Sequence, residues 1–346
     1  MNKINISHLD FASSEIYPRI AADNFRVVAG IGKERMIFED DELSDHFKVI
    51  AKIHEFMNFI TSVEFEIRSS LYLGEKSSTD LTQKRLAKYF DKFSEMFDEL
   101  EFKRPFRYSE QVELFWDQVG QFLRSSGRRS NVCAIDSYNE IIVKLMEAAK
   151  GDDYRRRLDS RRKSAVHNCQ SVSSHISSLF KMHAQLHIVR IDLLTSRCPN
   201  PQPVDIDAAH ALLKIFLKDN HRNALFRNVI GYIWKLEYSK LKGTYFHFVL
   251  LLEKSDLLLT DFIADKFGKF WAESVTNNQG SYLICKKGVT MRRSSGVGVI
   301  AANENDVLRS LSADLEYLML KDFYFLPNVF VKDARRAKRA YGRSEV

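Results

Sequence analysis

GYIWKLEYSKLKGTYFHFVLLLE, residues 231–253, is the stretch that decides the fold. Aromatic and β-branched residues lead to Ser239, the step Lys240–Gly243 supplies a tight turn, and an apolar run follows to Leu252. This reads as two antiparallel strands joined by a short turn. Glu237 falls late on the first strand and His247 early on the second. Pairing the strands brings a carboxylate and an imidazole together on a rigid sheet, the beginnings of a divalent-metal site. Glu237 also suits an ordinary cross-strand pair with a lysine, and a single histidine in an apolar strand is commonly a hydrogen-bonded core or edge residue.

Outward from the hairpin, strands and helices alternate. In LHIVRIDLL (186–194), Val189, Ile191 and Leu193 alternate with Arg190 and Asp192, a strand with both charges on one face. The segment CPNPQPVD (198–205) is a loop, and Asp205 or Asp207 caps a helix over Ala208–Leu217. After the hairpin, Asp256–Val275 reads as an amphipathic helix carrying Phe267, Phe270 and Trp271. A turn at NNQG precedes the short strand SYLIC (281–285), and a loop at RRSSGVG leads to a strand over Val297–Ile300. A helix over Asn305–Leu318, with Leu311, Leu315 and Leu318 on one side, is followed by the closing segment KDFYFLP. His183 and His187, near the first strand, are candidates for an extra ligand.

The first half has a different texture. In HFKVIAKIHEFMNFITSVEFEI (46–67), Phe47, Ile50, Ile53, Phe56, Met57 and Ile60 recur at helical spacing. Further helical segments fall near Leu81–Phe97, capped by Asp80, and at Glu110–Phe122 and Ser137–Ala149. The segment DDYRRRLDSRRK (152–163) gathers Arg155, Arg156, Arg157, Arg161, Arg162 and Lys163, either a solvated helix face or a phosphate-binding one. Arg124, Arg128 and Arg129 form a smaller cluster; Arg292 and Arg293, and the tail from Arg335 to Arg343, are basic as well. The expected organisation is α+β: an all-helical domain over 1–182, an antiparallel sheet domain covered by helices over 185–330, and an exposed basic tail over 331–346.

Bulk composition narrows the function classes. The chain has 346 residues, 45% of them hydrophobic, and a formal net charge of +7, which favours a polyanionic partner. Four cysteines (Cys133, Cys169, Cys198 and Cys285) are scattered with no C-x-x-C pair, which argues against a zinc ribbon and for a reducing compartment. No apolar run reaches bilayer length and the first residues lack a signal-peptide core. The expectation is a cytoplasmic protein with no membrane partner.

The sheet half resembles the replication initiators of filamentous phages, the inovirus gene-two proteins, and more broadly the HUH endonucleases of rolling-circle replication. The likeness covers roughly Leu186 to Arg343. It is carried by Val189-Arg190-Ile191-Asp192-Leu193, by the hairpin from Gly231 to Leu252, and by IADKFGKFW (263–271). Gly280-Ser281-Tyr282, Gly296-Val297-Gly298-Val299-Ile300 and Tyr317-Leu318-Met319-Leu320-Lys321-Asp322 follow in order.

The resemblance implies a sheet-based nuclease that nicks DNA. A divalent metal, magnesium or manganese, polarises the scissile phosphate, and a tyrosine attacks it to leave a 5′-phosphotyrosine and a free 3′-hydroxyl. It implies His247 and Glu237 as metal ligands, with Asp192 a further candidate beside them, and Tyr317 as nucleophile. Lys321 takes the assisting lysine's place only if the helix ends or bulges there, since a one-residue shift turns a side chain by about 100°. The partners implied are single-stranded or origin DNA, with host replication proteins alongside. Two positions depart from the family pattern: Tyr245 stands where the first motif histidine falls, and Leu320 where the lysine falls. A catalytically inactive DNA-binding descendant, acting as an accessory or regulatory factor, is the alternative that these departures raise.

Overall fold

A computed structural model describes residues 16–17, 26–29, 36–39, 41–62, 85–86, 88–89, 92, 96, 106–126, 135–197, 201, 204–218, 223–239, 241–253, 259–285, 296–328 and 340–345. Arg128, Arg129, Arg292, Arg293, Asp80 and most of 81–97 lie outside the described residues.

The architecture is α+β. Strands β1 (Arg26–Ala29) and β2 (Met36–Glu39) form a small antiparallel pair. Helix α1 (Asp41–Ser62), strand β3 (Phe106–Tyr108), α2 (Glu110–Ser126), α3 (Ile135–Ala148) and α4 (Asp152–Met182) follow. The first half is therefore not all-helical, as its spacing led us to expect. RVVA and MIFE are too short to nucleate a helix and rich in residues that favour a pleated backbone. On α1 the helical stripe behaves as read: Phe47, Ile50, Ile53, Phe56, Met57 and Ile60 are all fully buried. Each such side chain contributes about 1.5–3 kcal/mol.

The sheet half contains β4 (Gln185–Leu194), α5 (Ile206–Leu217), β5 (Val229–Ser239), β6 (Gly243–Glu253), α6 (Thr260–Lys269), β7 (Ser281–Ile284), β8 (Gly298–Ala301), α7 (Asn305–Tyr324), β9 (Phe325–Pro327) and β10 (Tyr341–Arg343). The strand order is β10-β5-β6-β4-β7, with β8 also on β4, and every pairing is antiparallel. The 231–253 hairpin closes as its sequence requires. Gly243, at φ +67°, supplies the left-handed residue, and a Cβ there would stand 2.7 Å from Pro201. Asp205 caps α5, its carboxylate accepting from the Ala208 N–H at 2.8 Å. α6 runs on into a π-helical turn, residues 270–275, where Trp271 donates to the Leu194 carbonyl at 2.7 Å.

Strand alternation sorts the sheet into two faces. Val189, Ile191, Leu193, Trp234, Leu236, Phe246, Phe248 and Leu250 pack under α5 and α6. Leu186, Ile188, Ile233, Val249 and Leu251 pack under α4 and α7. The boundary expected at 182–185 is the end of α4, a helix common to both halves: Tyr154 and Ala165 join the helical core, Cys169 to Phe180 the sheet core. α7 does the same, with Leu308 to Leu315 on the sheet and Tyr317, Phe323 and Tyr324 in the helical core. β9 then pairs with β3.

The tail ends differently from the expected exposed segment. Tyr341–Arg343 adds an edge strand to β5, because Gly342 lets the backbone cross the Trp234 ring and Tyr341 is buried. Among the described residues no helix is long and apolar enough to cross a membrane.

Candidate functional site

The sheet face under α4 and α7 changes character along its strands. Its apolar end is core; its other end carries Arg190, Asp192, Lys235, Glu237, Tyr245 and His247. Register explains the grouping. Asp192 of β4 and Lys235 of β5 both sit opposite His247, and Glu237 sits opposite Tyr245 one row along. Period-two alternation then points all six side chains the same way.

His247 joins two chains of contacts. Its Nδ1 lies 2.7 Å from Asp192 Oδ1, and Arg190 Nε and Nη2 lie 3.3 and 3.2 Å from its Nε2. A guanidinium only donates, so Nε2 is the acceptor and Nδ1 carries the proton given to Asp192. Arg190 also donates to Asp314 at 2.9 Å, and Lys242 donates to Asp192 Oδ2 at 2.7 Å. Glu237 is held from two sides: the Tyr245 hydroxyl donates to Oε2 at 2.8 Å and Lys321 pairs with Oε1 at 2.7 Å. Lys235 pairs with Asp322 at 2.6 Å.

The charges are mutually sustained. Burial pushes the Asp192 carboxyl upward, but Lys242 and the His247 hydrogen bond outweigh it and hold the group well below the usual carboxylate range. Burial acts the same way on Glu237, and Lys321, Lys235 and His247 again bring it below its ordinary value. Desolvation and the neighbouring Asp192 carboxylate push the Cys285 thiol up to about 12.

Of the expected ligands, Asp192 and His247 come together. Glu237 lies one row away with both oxygens engaged by Tyr245 and Lys321. The third donor converging on the pair is Cys285, whose Sγ is 3.9 Å from Asp192 Oδ1. Asp192, His247 and Cys285 each bring a ligand atom within 4.8 Å of the others, a possible metal-binding triad. Sequence reasoning missed Cys285. The signal was the alternation of SYLIC: Ser281, Leu283 and Cys285 share a face, and pairing β7 with β4 turns that face toward Asp192. His187 is on the opposite face, bonded to Thr260 at 2.8 Å, and so does not meet His247. His183 ends α4 through its backbone N–H.

The helix opposite this face is α7. It continues unbroken to Tyr324, so Lys321 follows Tyr317 by one turn on the same side, its Nζ 5.7 Å from the Tyr317 ring centre. The helix neither ends nor bulges at Lys321, so Lys321 does not take the direction of Leu320: the two stand about 100° apart round the axis, and Lys321 is directed to Glu237. Tyr317 is itself buried.

The basic segment of α4 divides. Arg155, Arg156, Arg162 and Lys163 are exposed, with Arg156 paired to Asp153 and Lys163 to Asp159. Arg157 bends to Glu110 at 2.8 Å. Arg161 is turned inward, donating to the Tyr108 carbonyl, to the Asp322 carbonyl at 2.8 Å and to Glu110 at 3.4 Å. It is a strut between α4, β3 and α7, not part of an open basic face. The reason is helical phase: Arg157 and Arg161, one turn apart, lie on the side that meets buried Glu110.

Residues 150–286 match the family model described as the YagK/YfjJ C-terminal domain. The match runs from the start of α4 to the end of β7, so it includes Asp192, Glu237, His247 and Cys285 and stops before α7. No curated protein and no solved structure matches the chain.

Proposed function

We propose that the chain binds single-stranded DNA at the polar end of the sheet and transfers a backbone phosphate to Tyr317. The observation that carries this reading is the face of α7. Asp314, Tyr317 and Lys321 follow one another at i, i+3 and i+7, on one side of the helix. Asp314 reaches Arg190 and Lys321 reaches Glu237, which brackets Tyr317 between contacts to the two rows that flank the row holding His247.

In the proposed step the Tyr317 Oη attacks phosphorus, a bond from phosphorus to Tyr317 forms and the bond to the 3′-oxygen breaks. The phenol proton ends on that oxygen, leaving a 3′-hydroxyl and a 5′-phosphotyrosine. Arg190 and Lys242 supply fixed positive charge beside the phosphate, and Lys321 lies next to the phenol it would help deprotonate. Asp192 and His247, joined by Cys285, are the residues that fit a divalent ion, since an anionic oxygen, an imidazole and a sulfur converge there. Such an ion, magnesium or manganese by the resemblance, would draw charge from the phosphate oxygens.

The test is a covalent-adduct assay. Full-length protein is mixed with a labelled single-stranded oligonucleotide library and manganese or magnesium, beside Tyr317→Phe. We expect a labelled protein band that is lost in Tyr317→Phe; no band with any divalent ion overturns the reading. One observation favours a second reading, a DNA-binding protein that does not cleave. Arg190, Lys242, Lys321 and Lys235 already neutralise Asp314, Asp192, Glu237 and Asp322. Salt-sensitive DNA binding without an adduct would be its signature.

A further inference from the structure

We propose that Cys285 completes, with Asp192 and His247, a thiolate–imidazole–carboxylate site whose ion is zinc. This deepens the reading above of the same site, and it rests on that reading only for the role the ion would play.

Register delivers the thiol. β7 pairs with β4 from Ile191–Ile284 to Leu194–Ser281, and the Cys285 N–H carries the ladder on to the Arg190 carbonyl at 3.2 Å. Cys285 therefore follows Ser281 and Leu283 on the face of Asp192. Tyr245 stands where the resemblance puts a histidine, but its hydroxyl is given to Glu237. The replacement donor comes instead from the strand on the other side of β4.

The donor atoms are close to what zinc needs. Sγ and Nδ1 lie 3.9 and 2.7 Å from the same oxygen, Asp192 Oδ1. Tetrahedral zinc, at about 2.3 Å from sulfur and about 2.0–2.2 Å from nitrogen and oxygen, sets its ligand atoms roughly 3.3–3.8 Å apart. The imidazole and carboxylate open by about half an ångström and the sulfur closes slightly. Lys242 stays on Oδ2 and fixes the carboxylate from outside, as outer partners of metal ligands do.

Ion choice follows from the thiol. Magnesium and manganese prefer oxygen, whereas thiolate and imidazole together select zinc. On binding, Cys285 gives up its proton to solvent. With Nδ1 on the ion, the ring proton sits on Nε2. Arg190, a donor itself, then leaves Nε2 and keeps Asp314. Three protein ligands leave a fourth position open, as in catalytic rather than structural zinc sites.

The experiment is a cobalt titration of chelator-stripped full-length protein. We expect an intense near-ultraviolet sulfur-to-cobalt band that saturates at one ion per chain and is discharged by zinc. It should be missing in Cys285→Ser and kept in Cys169→Ser, whose sulfur is buried against the Glu316 carbonyl. A wild-type chain without the band, or a band that survives Cys285→Ser, overturns the proposal. Zinc retained after desalting, measured with a chromophoric chelator, checks it without any variant: one zinc per chain is expected, and none overturns it. The two readings fail separately. A cobalt band with no Tyr317 adduct removes phosphate transfer and keeps the zinc site; an adduct with magnesium and no cobalt band does the reverse.

Discussion

Lys321 Nζ of α7 lies 2.7 Å from Glu237 Oε1 of β5, and both side chains are more than nine-tenths buried. One ion pair thus fastens the helix that spans both halves to the polar end of the sheet. Breaking such a pair leaves its partner charged and unsolvated. Lys321→Met should lower the free energy of unfolding by about 3–5 kcal/mol. Glu237→Gln combined with Lys321→Met should recover most of that loss. Urea denaturation of the wild type, the single and the double variant measures this. Additive losses would show that the pair is not coupled.

A pH dependence centres on His175. It is buried between α4 and β10, its Nε2 3.2 Å from Ser344 Oγ, and burial with the nearby Arg343 pulls its pKa down to about 4. An unfolded histidine titrates near ~6.5. Between these values the unfolded chain binds more protons, so stability falls as the pH drops from about 6.5 toward 4. His175→Gln should lose that slope. Denaturation midpoints across this range decide the matter, and an unchanged slope in the variant would sink it.

The basic segment of α4 should split by function. Arg161→Met removes bonds to two carbonyls and to Glu110 and should cost about 2–4 kcal/mol. Arg155→Ala and Arg162→Ala should change stability by less than about 0.5 kcal/mol. If DNA lies along α4, the exposed pair should weaken binding to all sequences alike and flatten the salt dependence. Anisotropy at several salt concentrations, beside a denaturation curve for each variant, separates the two roles.

At Gly268 a Cβ would stand 2.1 Å from the Tyr282 ring. That ring lies across α6 and its hydroxyl donates to Asp265 at 2.6 Å. Gly268→Ala should destabilise by roughly 1–3 kcal/mol despite alanine's better helix propensity. With Tyr282→Ala already present, the same change should be close to neutral or stabilising. Thermal melts of the four proteins in this cycle give the coupling, and a coupling of zero would be evidence against the contact.

The sequence by itself determined whatever rests on short-range pattern. Alternation in 186–194 and the turn before Gly243 produced β4 and the β5–β6 hairpin. Three- and four-residue spacing made the buried stripe of α1, and Asp205 and Asp207 bracketed the start of α5, where the structure selects Asp205 as the cap. Asp192 and His247 could be set on strands because two-residue periodicity fixes their faces. Tertiary structure alone decided which faces meet. Register across β4 put Cys285, 93 residues on, beside Asp192. Packing of α7 on the sheet joined Lys321 to Glu237, and the phase of α4 against Glu110 turned Arg161 from a surface cation into a buried strut. These outcomes depend on strand order and helix phase, set by burial of whole faces across distant segments, and no local window of the chain carries that information.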